Sequence, residues 1–229
     1  MTGAQGEAER PPPPPDALAE LIRLGTCRLV DVMGVGLLSS EIRPLLEPTP
    51  AIAGPAVTVK VRPGDFGMIP WAVDRLEHGD VLVIDGAGHQ ERAIWGDFVS
   101  TRARQVGCAG VVIDGACRDI AGIRRLAFPV FSRGRTARGP TRDGGGAIEV
   151  PVVCGGISVL PGDLVVADED GIVAVAGGEL GAALRLGRAK LAAEPRPAGA
   201  DESSESAWLD YLGRQGPAPE GTPPRRAAP

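Results

Sequence analysis

The chain has 229 residues, a net charge of −5 and 43% hydrophobic residues, enough for one compact domain or two small ones. No run of about 18 uncharged apolar residues is present, so no membrane-spanning helix is expected. The acidic, proline-rich start lacks the apolar segment of a secretory signal, and scattered arginines in a net acidic chain argue against a nucleic-acid surface.

The prolines are unevenly placed. Five lie at Pro11–Pro15 and seven from Pro195 onward. They mark disordered tails over 1–15 and 195–229, the second with room for a short helix, around a core at 16–194. Within the core, 16–25 has helical spacing, with Leu18, Leu21, Ile22 and Leu24 on one face. Thr26 then reads as the N-cap of a second helix near 27–34. Ala56–Val61 alternates as a half-buried strand, and 65–77 contains a helix-like run.

The middle of the chain reads β-α-β-α-β. Val81–Asp85 and Gly110–Asp114 are continuous apolar runs, as parallel strands covered on both faces should be. A helix is expected over 91–107. Gly96 inside it indicates that the regular helix begins there, leaving 89–95 as a loop. Ile120–Leu126 reads as a short helix and Pro129–Phe131 as a third strand. Beyond it come a long Arg/Gly-rich loop over 134–146, strands at 148–153, 163–167 and 171–175, and a helix at 178–193.

Two strands end in the same letters, Asp85-Gly86-Ala87 and Asp114-Gly115-Ala116. Right-handed crossovers put both ends on the carboxyl edge of the sheet, where open α/β sheets bind ligands. The two turns either face one crevice or are simply good turn signals. Arg118-Asp119 follows directly. An aspartate there is a helix cap or a metal ligand, and the arginine a surface neighbour or a clamp for a substrate carboxylate. The amides of Gly96, Asp97, Phe98 and Val99 at a helix start could cradle an anion.

Other candidates are weaker. Asp168-Glu169-Asp170 reads as a solvated turn, with three carboxylates that could also attract a hard cation. His78 reads as surface, and His89 lies near the helix start. Cys27, Cys108, Cys117 and Cys154 form no CxxC pair and read as buried free thiols in a reducing cytoplasm. The arginines of 133–142 form a solvated loop or bind a second carboxylate.

In order, Gly79–Gly86, Trp95-Gly96-Asp97, Gly110–Asp119 and Pro161–Asp168 resemble the RraA-like family. That family contains 4-hydroxy-4-methyl-2-oxoglutarate / 4-carboxy-4-hydroxy-2-oxoadipate aldolases and regulators of ribonuclease E. The resemblance implies an α/β/β sandwich of the swivelling-domain type, a mixed sheet with a βαβαβ centre. It also implies homotrimers or homohexamers with sites at subunit interfaces. The implied activity is a class II aldolase that uses Mg²⁺ or Mn²⁺ on a 2-oxo acid, with oxaloacetate decarboxylation alongside. On matching positions, Asp119 would ligate the metal and Arg118 would contact substrate and stabilise an enolate. The amides of Gly96, Asp97, Phe98 and Val99 would hold the pyruvyl carboxylate, and Asp97 would take part in proton transfer. Glu194 is the candidate for an acidic residue contributed across a subunit interface. The competing reading is a non-catalytic regulator of the ribonuclease E type; a phosphohistidine carrier ranks last.

Overall fold

A computed structural model describes residues 13–34, 36–194 and 213. Apart from 13–15 and 213, the two tails expected from the proline distribution lie outside the described residues. The chain divides into two units, 1–191 and 192–229. The first carries the fold, and the second contributes the last residues of one helix.

The chain opens with α1 (Pro15–Met33), which is two helices in one. Gly25, at φ 78° and ψ 160°, breaks it where the sequence suggested. Thr26 does not cap with its own hydroxyl. Instead Asp168 reaches in from the turn after β9, accepting from the Thr26 amide at 2.8 Å and its hydroxyl at 2.6 Å. The expected solvated acidic turn is therefore a distant cap for the second half of α1. Next come the short β1 (Arg43–Pro44), the long β2 (Ile52–Val61) and a brief α2 (Ile69–Val73). α2 is shorter than the expected run because Asp65 folds the preceding residues into a turn.

β3 (Val81–Trp95) is the main departure from expectation. The segment 89–95 is not a loop but an extension of the strand, paired irregularly with β4 (Gly110–Cys117). His89 faces Gly115, Ala93 faces Ala116 and Trp95 faces Cys117, with register shifts between them. Alternation is lost at such bulges, which hides the strand from pattern reading. Between the two strands lies α3 (Asp97–Gln105), starting next to Gly96 as expected. Then follow α4 (Ile120–Leu126), β5 (Val130–Arg135), β6 (Gly146–Ile148), β7 (Val152–Cys154), β8 (Ile157–Val159), β9 (Leu164–Ala167), β10 (Ile172–Val175) and α5 (Leu180–Ala193).

The main sheet runs β1-β5-β4-β3-β2-β9-β10, with β6 also on β2. β2, β3, β4 and β5 are mutually parallel, whereas β9, β10 and β6 join antiparallel. On one face, Leu82, Ile84, Val111 and Ile113 pack with side chains of α2, α3 and α4. On the other, Val81, Val83 and Val112 meet Val152, Cys154 and Val159 of the β7–β8 hairpin. The result is the expected α/β fold with a mixed sheet and a helix layer, a sheet and a hairpin in turn. α1 and α5 cover β9 and β10 through Leu21, Leu24, Leu29 and Ala183. Among the described residues no helix is long and apolar enough to cross a membrane.

Three cysteines are buried as expected, but Cys27 is exposed, and all four thiols are free. It lies one residue into the helix that restarts at Thr26, beyond the face that packs on β9 and β10.

Candidate active site

The central strands end in carboxylates, yet Asp85 and Asp114 do not open onto a crevice. Both are buried, and both hold the β7–β8 hairpin. Asp85 accepts from the Val153 amide at 3.4 Å and the Ala87 amide at 3.0 Å. Asp114 accepts from the Gly155 amide at 2.7 Å and from Arg133 Nε at 2.6 Å, and Arg133 also pairs with Glu41. The Arg133 guanidinium is thus committed to structure.

Chemistry concentrates on the other side of the sheet. β4 delivers Arg118 and Asp119 just beyond Cys117, and the extension of β3 delivers Trp95 and Gly96 beside them. The Arg118 amide donates to the Trp95 carbonyl at 3.0 Å, which fixes the two strand ends together. Trp95 Nε1 donates to Ser100 Oγ at 2.8 Å, and Ser100 Oγ donates to the Gly96 carbonyl at 2.9 Å. This buried relay sets the turn from β3 into α3. α3 has no side-chain cap, so the amides of Asp97, Phe98 and Val99 lack intrahelical acceptors.

Asp119 adopts a left-handed backbone, φ 58° and ψ 37°, at the N-cap of α4. Aspartate tolerates this conformation better than most residues. Its Oδ2 lies 3.4 Å from Arg118 Nε, with both side chains 42% exposed. A Cβ added at Gly96 would stand 2.6 Å from that same Oδ2. Glycine at 96 is what allows the carboxylate to lie against the start of α3.

Arg118, Asp119, Gly96, Phe98 and Val99 line one cavity of about 610 Å³, together with Phe66, Gly67, Pro140 and Arg142. The structure therefore brings together five of the six residues singled out from the sequence. Asp97 is the sixth. Its carboxylate packs against α4, 2.1 Å from where a Cβ on Gly122 would sit, and it is not part of the lining. His89 also lies outside the lining; its Nε2 is buried with no hydrogen-bond partner among the described residues. His78 is exposed, as expected.

Of the outer wall, the sequence pointed only to the arginines of 133–142. The wall is built by two loops that Asp65 ties together. Asp65 Oδ1 accepts from the Gly67 amide at 2.7 Å; Oδ2 accepts from the Thr141 hydroxyl at 2.9 Å and the Asp143 amide at 2.8 Å. Burial alone would raise the Asp65 pKa, but these donors outweigh it and hold the carboxyl below the usual range. The usable signal was Pro63-Gly64-Asp65 followed by Gly67, an Asx-turn pattern.

Uncapped helix-start amides and an Arg-Asp pair thus meet at the ends of adjacent parallel strands, the edge at which α/β folds commonly bind small molecules. The RraA-like family model, described as Aldolase/RraA, matches residues 26–174, and the chain belongs to that family. A relative in Halalkalibacterium halodurans, named "Putative 4-hydroxy-4-methyl-2-oxoglutarate aldolase", is 44% identical over 154 residues, 67% of this chain and 73% of that protein. Among solved structures, an uncharacterized protein from Pseudomonas syringae superposes with TM-score 0.70 at 30% identity, over 80% of this chain and 90% of the other. The RNA-processing inhibitor RraA from Thermus thermophilis gives TM-score 0.60 at 29% identity, over 66% and 91%.

Proposed function

We propose that the protein is a divalent-metal-dependent carbon–carbon lyase. It cleaves a 4-hydroxy-2-oxo acid to pyruvate and a second oxo acid, and decarboxylates oxaloacetate as a side activity. The observation that carries this reading is the convergence of Arg118, Asp119 and the uncapped first turn of α3 on one cavity. The aldolase name of the Halalkalibacterium relative supports it.

The donor set fits a lightly held hard cation. Among the described residues no cluster of three His, Cys, Asp or Glu side chains could cage a metal, and Asp119 is the one carboxylate in the lining. Mg²⁺ and Mn²⁺ suit one carboxylate, with water and substrate oxygens completing the shell. Asp119 would hold the ion, which when bound supplies Lewis acidity at the 2-oxo group.

The chain's own groups do the rest. The α3 amides receive the substrate's 1-carboxylate, where the helix dipole favours an anion. The C4 hydroxyl proton passes to a water molecule in the open cavity as the C3–C4 bond breaks; the second oxo acid's carbonyl forms and the bonding pair enters the pyruvate enolate. Arg118 places a fixed positive charge beside the enolate oxygen, and protonation at C3 gives pyruvate. In oxaloacetate the same enolate forms as CO₂ leaves. Neither lysine of the described residues lines the cavity, so no Schiff base has a candidate there.

Phe98, 84% exposed at the cavity rim, and Trp71, 63% exposed on α2, support a homotrimer or homohexamer in which a neighbouring subunit covers this edge. Free thiols fit a cytoplasmic location. A second reading, a regulatory binding protein, draws on structures such as the Thermus RraA.

Pyruvate release from oxaloacetate and from 4-hydroxy-4-methyl-2-oxoglutarate, with Mg²⁺ or Mn²⁺ and then with EDTA, tests the proposal. Metal-dependent release is expected, abolished by Asp119→Asn, which keeps a side chain tolerant of the left-handed backbone. Arg118→Ala should lower kcat by about 10²–10³. Turnover unaffected by Asp119→Asn would remove Asp119 from the mechanism. Absence of pyruvate from both substrates, with stoichiometric retention of a ribonuclease, would favour the regulator.

A further inference from the structure

Arg118 and the α3 amides sit on separate elements, and one tryptophan touches both. The Trp95 carbonyl accepts from the Arg118 amide at 3.0 Å, which ties it to the end of β4. Its indole Nε1 donates to Ser100 Oγ at 2.8 Å, in the first turn of α3. Trp95 is 2% exposed and Ser100 0%, so this polar pair is closed off from water. The adjacent core positions, Ile94, Val99 and Ala103, are apolar.

A buried hydroxyl costs stability unless it is bonded, and alanine would fill nearly the same space. What the hydroxyl supplies is direction. The Gly96 carbonyl accepts twice, from the Ser100 amide at 3.1 Å and from the Ser100 hydroxyl at 2.9 Å. No side chain caps α3, so this pair of bonds governs the peptide at its start. A peptide is planar and trans, so the Gly96 carbonyl and the Asp97 N–H point in opposite directions. Holding the carbonyl along the helix therefore aims the Asp97 N–H outward, with the free amides of Phe98 and Val99 following it.

We infer that Ser100, steadied by the Trp95 indole, is a positioning residue: it aims the first amides of α3 at the 1-carboxylate of the substrate and so sets how tightly the substrate is held. The inference rests on the proposed reading in taking the cavity to hold 2-oxo acids. That carboxylate keeps its charge from substrate through enolate to pyruvate. Contacts to it are shared by ground and transition states, and their loss raises KM while kcat is kept. Arg118 is held by its place at the end of β4 rather than by Ser100, so the charge beside the enolate oxygen stays where it is.

The test measures oxaloacetate turnover, and pyruvate binding by calorimetry, on the full-length protein with Mg²⁺. Ser100→Ala should raise KM for oxaloacetate and weaken pyruvate binding by the same factor, about 10-fold, the scale of a hydrogen bond to a charged group, with kcat within about twofold of wild type. Ser100→Thr, which keeps the hydroxyl, should retain the wild-type values. Asp168→Ala loosens the fold from outside the cavity lining and should leave KM and binding unchanged, which separates aiming from general loosening. An unchanged KM in Ser100→Ala, a fall in kcat with KM held, or an equal rise in KM in Asp168→Ala overturns the inference while metal-dependent pyruvate release still stands. If the wild type binds pyruvate without turning over oxaloacetate, the lyase reading falls; weaker pyruvate binding by Ser100→Ala then upholds the inference, and equal binding overturns it. Binding of no pyruvate and no turnover overturns both.

Discussion

At residue 96, a single added methyl group would collide with the Asp119 carboxylate. Gly96→Ala would place Cβ 2.6 Å from Asp119 Oδ2, so the carboxylate must swing away. A displacement of that kind costs about 10²-fold in rate. We expect kcat/KM for pyruvate release to fall by that order, with the thermal midpoint moved by only a few degrees, as calorimetry would show. Arg118 and Asp119 were legible in the sequence because they directly follow a buried strand, and Gly96 because a glycine inside a helical run marks where the helix begins. Asp65 was not. The Asp65–Thr141 bond joins residues 76 apart along the chain, and no local pattern announces such a meeting. At the thiols, one of four cysteines is exposed in the folded protein. An Ellman titration should count one thiol natively and four after unfolding. That thiol should react slowly, since burial and Asp170 push its pKa up.

Among the elements, helices were read better than strands. α4 matches its expected bounds residue for residue, because a short amphipathic run between two strands has few alternatives. β3 was read only to Asp85, since bulged pairing breaks the alternation that pattern reading needs. The break in α1 was legible through Thr26, but the group that caps the second half was not, because Asp168 comes from a turn 142 residues away. Asp168→Ala should destabilise the fold by about 1–2 kcal/mol in urea unfolding, the worth of a helix cap. α1 and α5 are joined by Arg188 and Glu20, with Arg188 Nε 2.7 Å from Glu20 Oε1. The hydrogen bond from Arg188 lowers the Glu20 pKa from 4.5 to about 2. A depressed native value means the unfolded chain binds more protons, so the pair stabilises above pH 4.5 and that contribution fades toward about pH 2. Arg188 is exposed and Glu20 only half-buried, so the effect is small and salt-sensitive. The gap in urea midpoint between wild type and Arg188→Ala should narrow from pH 5 to pH 2.5.

For the molecule as a whole, the division of labour between the two faces of the sheet explains what could be foreseen. The parallel core was legible because its strands are apolar on both sides, which only a covered sheet permits. The hairpin layer was legible only in part: β7 overlaps the end of the strand expected at 148–153, whereas β8 was missed. Strands of three residues, held by Asp85 and Asp114, carry little periodicity of their own. The same two aspartates that looked like site residues are the anchors of that layer, and the site lies across the sheet from them.

β2 has one more consequence, for the order in which the chain can assemble. Its second half pairs with β3, close in sequence, but Ile52–Pro55 pairs with Leu164–Ala167. A ribosome adding about 5–20 residues per second exposes the first partner seconds before the second exists. During that interval the nascent β2 presents an apolar edge with no mate. Synthesis that pauses ahead of Leu164 would leave that edge open to other chains, whereas completion of β9 closes it.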